Sequence, residues 1–192
     1  MKRAAAVLAA ILVALACGRD ERPTAPAPGG FSLWQFGGHW TRAGDGELEL
    51  ASLRGTPVLL LFFYGSCQST CPLLVHELRA LEGRLPVEAR DEVRFVLVTI
   101  DPERDTPERL AAYAREQALD PARWLLLRGA PEQVRELTAA LGVRYRNAGD
   151  QLSHTARVFL LDRDGVELEH WDGTSPPLES LARAVTAATR RG

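Results

Sequence analysis

Two cysteines four residues apart, in the run Cys67-Gln68-Ser69-Thr70-Cys71-Pro72, are the residues here best placed to do chemistry. The spacing leaves two chemistries open. Residues i and i+4 of a regular helix have Cα atoms about 6 Å apart, within the reach of a disulfide, and the same spacing lets both sulfurs converge on one metal ion. A purely structural disulfide would close so short a loop that it would remove little chain entropy. Soft thiolates select Cu(I), and an added imidazole suits copper in either oxidation state. Structural zinc wants four protein ligands, and iron–sulfur clusters fail on the same count. Of the three cysteines, Cys17 sits at the end of the N-terminal apolar run, which leaves two for a site, beside four histidines.

The elements around the pair explain why it would be reactive. Residues 57–64 (PVLLLFFY) form a continuous apolar run, as expected of a strand buried on both faces. Residues 71–85 read as a helix, with Leu74, Leu78, Leu81 and Leu85 on one face. The cysteines therefore fall where a strand ends and a helix begins, the usual place for ligand sites in open α/β sheets. Free N–H groups and the dipole of a helix N-terminus favour thiolate over thiol, and Pro72 is tolerated in a first turn.

Further along, residues 93–100 (VRFVLVTI) read as a second buried strand. Thr106-Pro107-Glu108 starts a helix predicted to run to about Leu119. Residues 123–127 make a third strand, and 131–141 a third helix closed by Gly142. Residues 156–161 and 166–171, joined by Asp162-Arg163-Asp164-Gly165, predict a β-hairpin, and 177–190 a last helix. Residues 47–50 suggest a further short strand. The order β-α-β-α-β-α-β-β-α predicts an α/β, thioredoxin-like fold, a central mixed sheet flanked by helices. It carries an inserted αβ segment and an N-terminal extension.

The N-terminus is expected to lie outside this fold. Lys2 and Arg3 precede thirteen apolar residues, 4–16, too few to span a bilayer and fitting for a secretory signal. The run ends in Ala14-Leu15-Ala16-Cys17, which resembles a bacterial lipobox and implies a lipid-modified Cys17. Residues 17–30, with Pro23, Pro26 and Pro28, read as a tether, and 31–192 as one domain. The expected product is an exported lipoprotein, membrane-anchored and facing the periplasm or another extracytoplasmic space, where thiols meet an oxidising environment. A chain with 23 basic and 25 acidic residues has no basic surface for nucleic acid.

Three ordered motifs resemble the Sco/SenC family of copper metallochaperones. They are residues 62–74, through Cys67, Cys71 and Pro72; residues 99–107 (TIDPERDTP); and Ser153-His154-Thr155 followed by 158–162 (VFLLD). The resemblance covers about residues 48–192. It implies one copper ion, Cu(I) or Cu(II), held by Cys67, Cys71 and His154. It also implies delivery of copper to the CuA centre of cytochrome c oxidase, or maintenance of that centre's thiols. Partners would then be the CuA-bearing subunit and other periplasmic copper carriers or thiol reductants. Gln68, Ser69 and Thr70 are neutral where members often carry an acid.

His154 is also placed by position, since the loop before that strand faces the active-site helix in thioredoxin folds. Ala156 stands where thioredoxin-type reductases have cis-proline. His39, His76 and His170 lack a motif and read as surface or packing residues; Asp101, Glu103 and Asp105 read as a turn and a helix start. The rival reading is a thiol–disulfide oxidoreductase cycling Cys67 and Cys71, with Cys67 the attacking sulfur. Peroxide reduction of the peroxiredoxin kind lacks an activating arginine and threonine arrangement.

Overall fold

The computed structural model describes residues 32–44, 46–148 and 151–190, so Cys17 and the proposed signal and tether lie outside the described residues. In chain order the elements are β1 (Trp40–Arg42), β2 (Glu47–Leu48), β3 (Val58–Phe63), α1 (Thr70–Arg84), α2 (Val87–Glu92), β4 (Arg94–Thr99), α3 (Pro107–Glu116) and β5 (Trp124–Arg128). They continue with α4 (Pro131–Ala140), β6 (Tyr145–Ala148), β7 (Gln151–His154), β8 (Arg157–Leu161), β9 (Glu167–Asp172) and α5 (Leu178–Arg190).

The apolar runs become the middle of a seven-stranded mixed sheet of order β2-β1-β5-β4-β3-β8-β9. β3 pairs in parallel with β4, Val58 opposite Arg94 and Phe63 opposite Thr99, and β4 pairs in parallel with β5. β8 runs antiparallel along the other side of β3, with β9 outside it. Every residue of β3 is buried, which is why its sequence shows no alternation. Fully burying each such side chain contributes roughly 1.5–3 kcal/mol, so β3 anchors whatever follows its carboxyl end. α1 buries Leu74, Val75, Leu78 and Leu81, and α5 packs against α1 and α2.

The predicted fold class therefore stands, with three differences. α3 stops at Glu116 rather than near Leu119. Leu119 N–H bonds back to Ala114 O and Ala118 N–H to Arg115 O, with Ala118 at φ 50. That is a Schellman closure with alanine in the left-handed position; it turns the chain so that Leu119 is buried. The short helix α2 and strand β1 were not predicted. Nor was the separate two-stranded sheet β6–β7, which pairs Tyr145 with His154. The chain before β1 is latched to the β8–β9 turn. Leu33 N–H donates to Gly165 O and Trp34 Nε1–H to Arg163 O. Gly165, at φ +72, lies so close to the Trp34 ring that a Cβ would meet it at 2.6 Å.

Candidate metal centre

β3 delivers the chain into a turn at Gly65, and α1 begins five residues later. Cys67 lies in that turn and Cys71 in the first turn of α1, so the two sulfurs do not share a helix face as a regular i, i+4 pair would. Ser69, at the N-cap, makes no side-chain capping bond. The unpaired N–H of Cys71 donates instead to Cys67 Sγ at 3.4 Å. A thiolate therefore takes over part of the capping role that a serine or aspartate oxygen usually fills.

Both cysteines are buried and free, with no disulfide between them. Their protons are shared unequally. The hydrogen bond from the Cys71 thiol, with further bonds from the Cys71 and Ser69 N–H groups, lowers Cys67 to about 4 against the opposing effect of burial. The same thiol–thiolate bond, together with burial, pushes Cys71 far up. The reduced pair is thus one thiolate and one thiol, with Cys67 as the anion.

His154 closes the third side. It ends β7 rather than sitting in a loop, and its Nε2 lies 3.6 Å from Cys71 Sγ. Its Nδ1 lies 3.0 Å from Thr155 O; a carbonyl only accepts, so Nδ1 carries the proton. In the neutral ring the Nε2 lone pair then faces the sulfur, the tautomer a metal ligand requires. The donor set, two sulfurs and one imidazole nitrogen, matches a soft cation in chemistry. Among the described residues, however, no three His, Cys, Asp or Glu side chains already surround a metal position. Cys71 touches both other groups, and binding would require Cys67 and His154 to turn toward one centre.

Two residues that the sequence analysis did not single out, or read differently, hold this arrangement. The Tyr64 hydroxyl donates to Gln151 Oε1 at 2.9 Å and accepts from Leu152 N–H at 3.3 Å. Its ring meets the His154 ring edge-on, with centroids 6.0 Å apart. Tyr64 thus ties the end of β3 to the hairpin that carries His154. Burial, and then the neighbouring Cys67, push its phenol up to about 12. Only its place at the end of an apolar strand, three residues before Cys67, could have marked it.

Asp105 is not merely part of a helix start, since Thr106 is the N-cap of α3. Its carboxylate is 1% exposed, accepts from Gly65 N–H at 2.9 Å and bonds the Thr99 hydroxyl. It fastens the β4–α3 connection to the cysteine turn, and burial raises its pKa. Asp101 and Glu103 join no metal group. His76 is exposed, His39 stands 3.5 Å from Glu47, and His170 pairs with Glu167 at 2.6 Å, all away from the cysteines' partners.

A mixed sheet presenting a thiolate–thiol pair at a helix N-terminus, with an imidazole facing it, defines a thioredoxin-like dithiol–imidazole protein. Comparison with known proteins narrows the class: the family model described as SCO1/SenC matches residues 35–190, and the chain belongs to that family. A Stutzerimonas stutzeri protein described as copper-binding is 35% identical over 126 residues, covering 63% of this chain and 60% of that one. The chain thus spans less than two thirds of that relative. The SCO1 protein homolog of Bacillus subtilis is 28% identical over 151 residues, covering 76% of this chain and 78% of its own. Among solved structures, Bradyrhizobium japonicum ScoI with copper bound aligns with TM-score 0.64 at 26% identity, covering 79% of this chain and 98% of that one. A crystal structure of an Aquifex aeolicus protein aligns with TM-score 0.72 at 22% identity, covering 80% of this chain and 90% of that one, and supports the fold alone.

Proposed function

We propose that this protein is a copper carrier that takes one copper ion as cargo on Cys67, Cys71 and His154. We further propose that it passes the ion by ligand exchange to the CuA-bearing subunit of cytochrome c oxidase. The observation that carries this reading is His154 Nε2 standing 3.6 Å from Cys71 Sγ, with Nδ1 turned away to Thr155 O. The relatives add weight: copper is named for the Stutzerimonas and Bradyrhizobium proteins, and cytochrome c oxidase assembly for the family of the Bacillus one.

The chain's own residues do three things in such a transfer. Cys67 offers an anionic sulfur without waiting for a proton to leave. Cys71 gives up its thiol proton to solvent as the metal binds, since the Cys67 sulfur and His154 Nε2 are themselves taken up as ligands. His154, whose tautomer is set by Thr155 O, adds a neutral donor that can be released without creating a buried charge. Export on a lipid-modified Cys17, with residues 17–30 as tether, completes the reading; no helix among the described residues is long and apolar enough to cross a membrane.

The test is a copper titration of reduced protein from residue 31 onward. It should bind one ion, and Cys67→Ala, Cys71→Ala and His154→Ala should each weaken binding at least tenfold. The unequal thiols also favour a second reading, a thiolate–thiol pair that reduces partner disulfides, losing two electrons and the one thiol proton of Cys71 as its own disulfide forms. Unchanged copper affinity in His154→Ala, with fast disulfide exchange, would select that reading and sink the first.

A further inference from the structure

The wall of the site away from Cys67 opens into a trough of about 940 Å³ between α4 and the β6–β7 hairpin. His154 forms part of its lining. So do Arg135 from α4 and Arg144 and Arg146 from the chain entering and forming β6, with Ser153 between them. Among the described residues no aspartate or glutamate lines it, and the protein as a whole carries a net charge of −2. Arg135 is engaged with Glu132 at 2.6 Å on an exposed surface. Arg144 and Arg146 are exposed, and no carboxylate among the described residues pairs with either side chain. Leu73 lies outside this lining, on the helix that carries Cys71, whose sulfur is 3.6 Å from His154 Nε2. It lies two residues after Cys71 and is 56% exposed, one of two large hydrophobic side chains so exposed among the described residues.

From this geometry we infer that the trough is the docking surface for an acidic segment of the protein that exchanges copper or thiols with the site. Carboxylates would lie along Arg144, Arg146 and Arg135, while an apolar side chain of the partner covers Leu73. The inference deepens the proposed function and rests on it for the identity of the cargo. Charge selects the sign of the partner: concentrated guanidinium groups in an otherwise slightly acidic protein steer anionic surfaces and repel basic ones. Guanidinium forks also bind carboxylates in a fixed orientation, which would hold the partner's ligands against the His154 edge of the site. Leu73 distinguishes a protein from a small anion. A free carboxylate or phosphate in the trough would leave Leu73 in water, whereas a protein interface combines a charged rim with buried apolar contact.

The experiment uses a fluorescently labelled, glutamate-rich peptide without cysteine, titrated onto the metal-free reduced protein and followed by anisotropy. Arg144→Glu/Arg146→Glu should weaken binding by roughly tenfold or more at low salt. The gap should shrink as salt rises above about 0.1 M, where the Debye length falls to ~10 Å. Leu73→Ser should weaken binding of the same peptide extended with leucine and leave the plain peptide unaffected. Arg79→Glu/Arg90→Glu, whose side chains line a different cavity, makes the same change in net charge and should have little effect. An equal loss in that control pair, or none in the trough pair, overturns the inference. So does inorganic phosphate or a small dicarboxylate binding as tightly as the peptides, with Leu73→Ser without effect on either. Copper stoichiometry of the trough variants should match the parent. A parent that binds no copper while the peptide result holds would remove the proposed cargo and leave the docking surface standing.

Discussion

Replacing Tyr64 by phenylalanine removes one oxygen atom and, with it, the tie between the cysteine-bearing end of β3 and the hairpin that carries His154. The ring and its edge-on contact with His154 remain. What is lost is the donation to Gln151 Oε1 at 2.9 Å and the acceptance from Leu152 N–H at 3.3 Å. Each such bond contributes a net ~0.5–1.5 kcal/mol. Both former partners are on a surface hairpin where water can partly replace the hydroxyl, so the combined loss is about 1–2 kcal/mol. With tenfold in an equilibrium constant for every ~1.4 kcal/mol, opening of the hairpin should become roughly 5–30 times more frequent. Copper affinity should fall by less, in proportion to the share of molecules whose hairpin then stands open, because the proposed site needs His154 held in place.

Global stability should fall by no more than the same ~1–2 kcal/mol, since the two bonds are lost from the native state and nothing else in the seven-stranded sheet changes. The assay is amide hydrogen exchange at Leu152 and Ser153 beside a competitive copper titration, parent against Tyr64→Phe. Unchanged exchange and affinity, each within twofold, would refute the tie. Weakened affinity with unchanged exchange would show that the hydroxyl acts on Cys67, its other neighbour, and not through the hairpin.

Other outcomes follow from the same contacts. Between about pH 4 and the ordinary thiol value of 9.0, the unfolded chain holds both thiol protons and the folded one holds only that of Cys71. Stability of the reduced protein should therefore rise with pH across that window, and turn down above it, where the unfolded chain loses both protons and the folded chain keeps one. A Cys67→Ser/Cys71→Ser variant with the same profile in denaturant titrations would contradict this. Alkylation of Cys67 should persist well below neutral pH and move up toward the ordinary thiol range in Cys71→Ala, which lacks the donor that lowers it. Asp105→Ala strands a part-buried Gly65 N–H and the buried Thr99 hydroxyl and should destabilise by about 2–6 kcal/mol, at ~1–3 kcal/mol per unsatisfied group. Asp105→Asn, which keeps an acceptor, should recover at least half of that in the same denaturation series. Ala118→Gly relieves a left-handed alanine and should raise stability by about 1 kcal/mol, read as a shift in denaturant midpoint at constant m-value.

What the sequence by itself determined is whatever depends on neighbours in the chain. The apolar run of β3 and the leucine periodicity of α1 placed Cys67 and Cys71 at a strand–helix junction. Thr106-Pro107 and Gly142 marked helix ends through local backbone chemistry, and the core motifs carried the family. The tertiary structure alone decided what depends on residues far apart in the chain. Cys71 and His154 are 83 positions apart, and the tautomer that exposes Nε2 follows from the backbone carbonyl its ring meets. The hairpin bearing His154 gives no alternating apolar signal, because it is a separate two-stranded sheet whose strand β7 reads exposed, intermediate, exposed, intermediate. Tyr64 and Asp105 read locally as a strand end and a helix start. Their roles arise because strand pairing brings the ends of β3 and β4 side by side, and because the hairpin folds back onto Tyr64 at the end of β3. The division of one proton between two cysteines likewise needs a distance, and a sequence contains none.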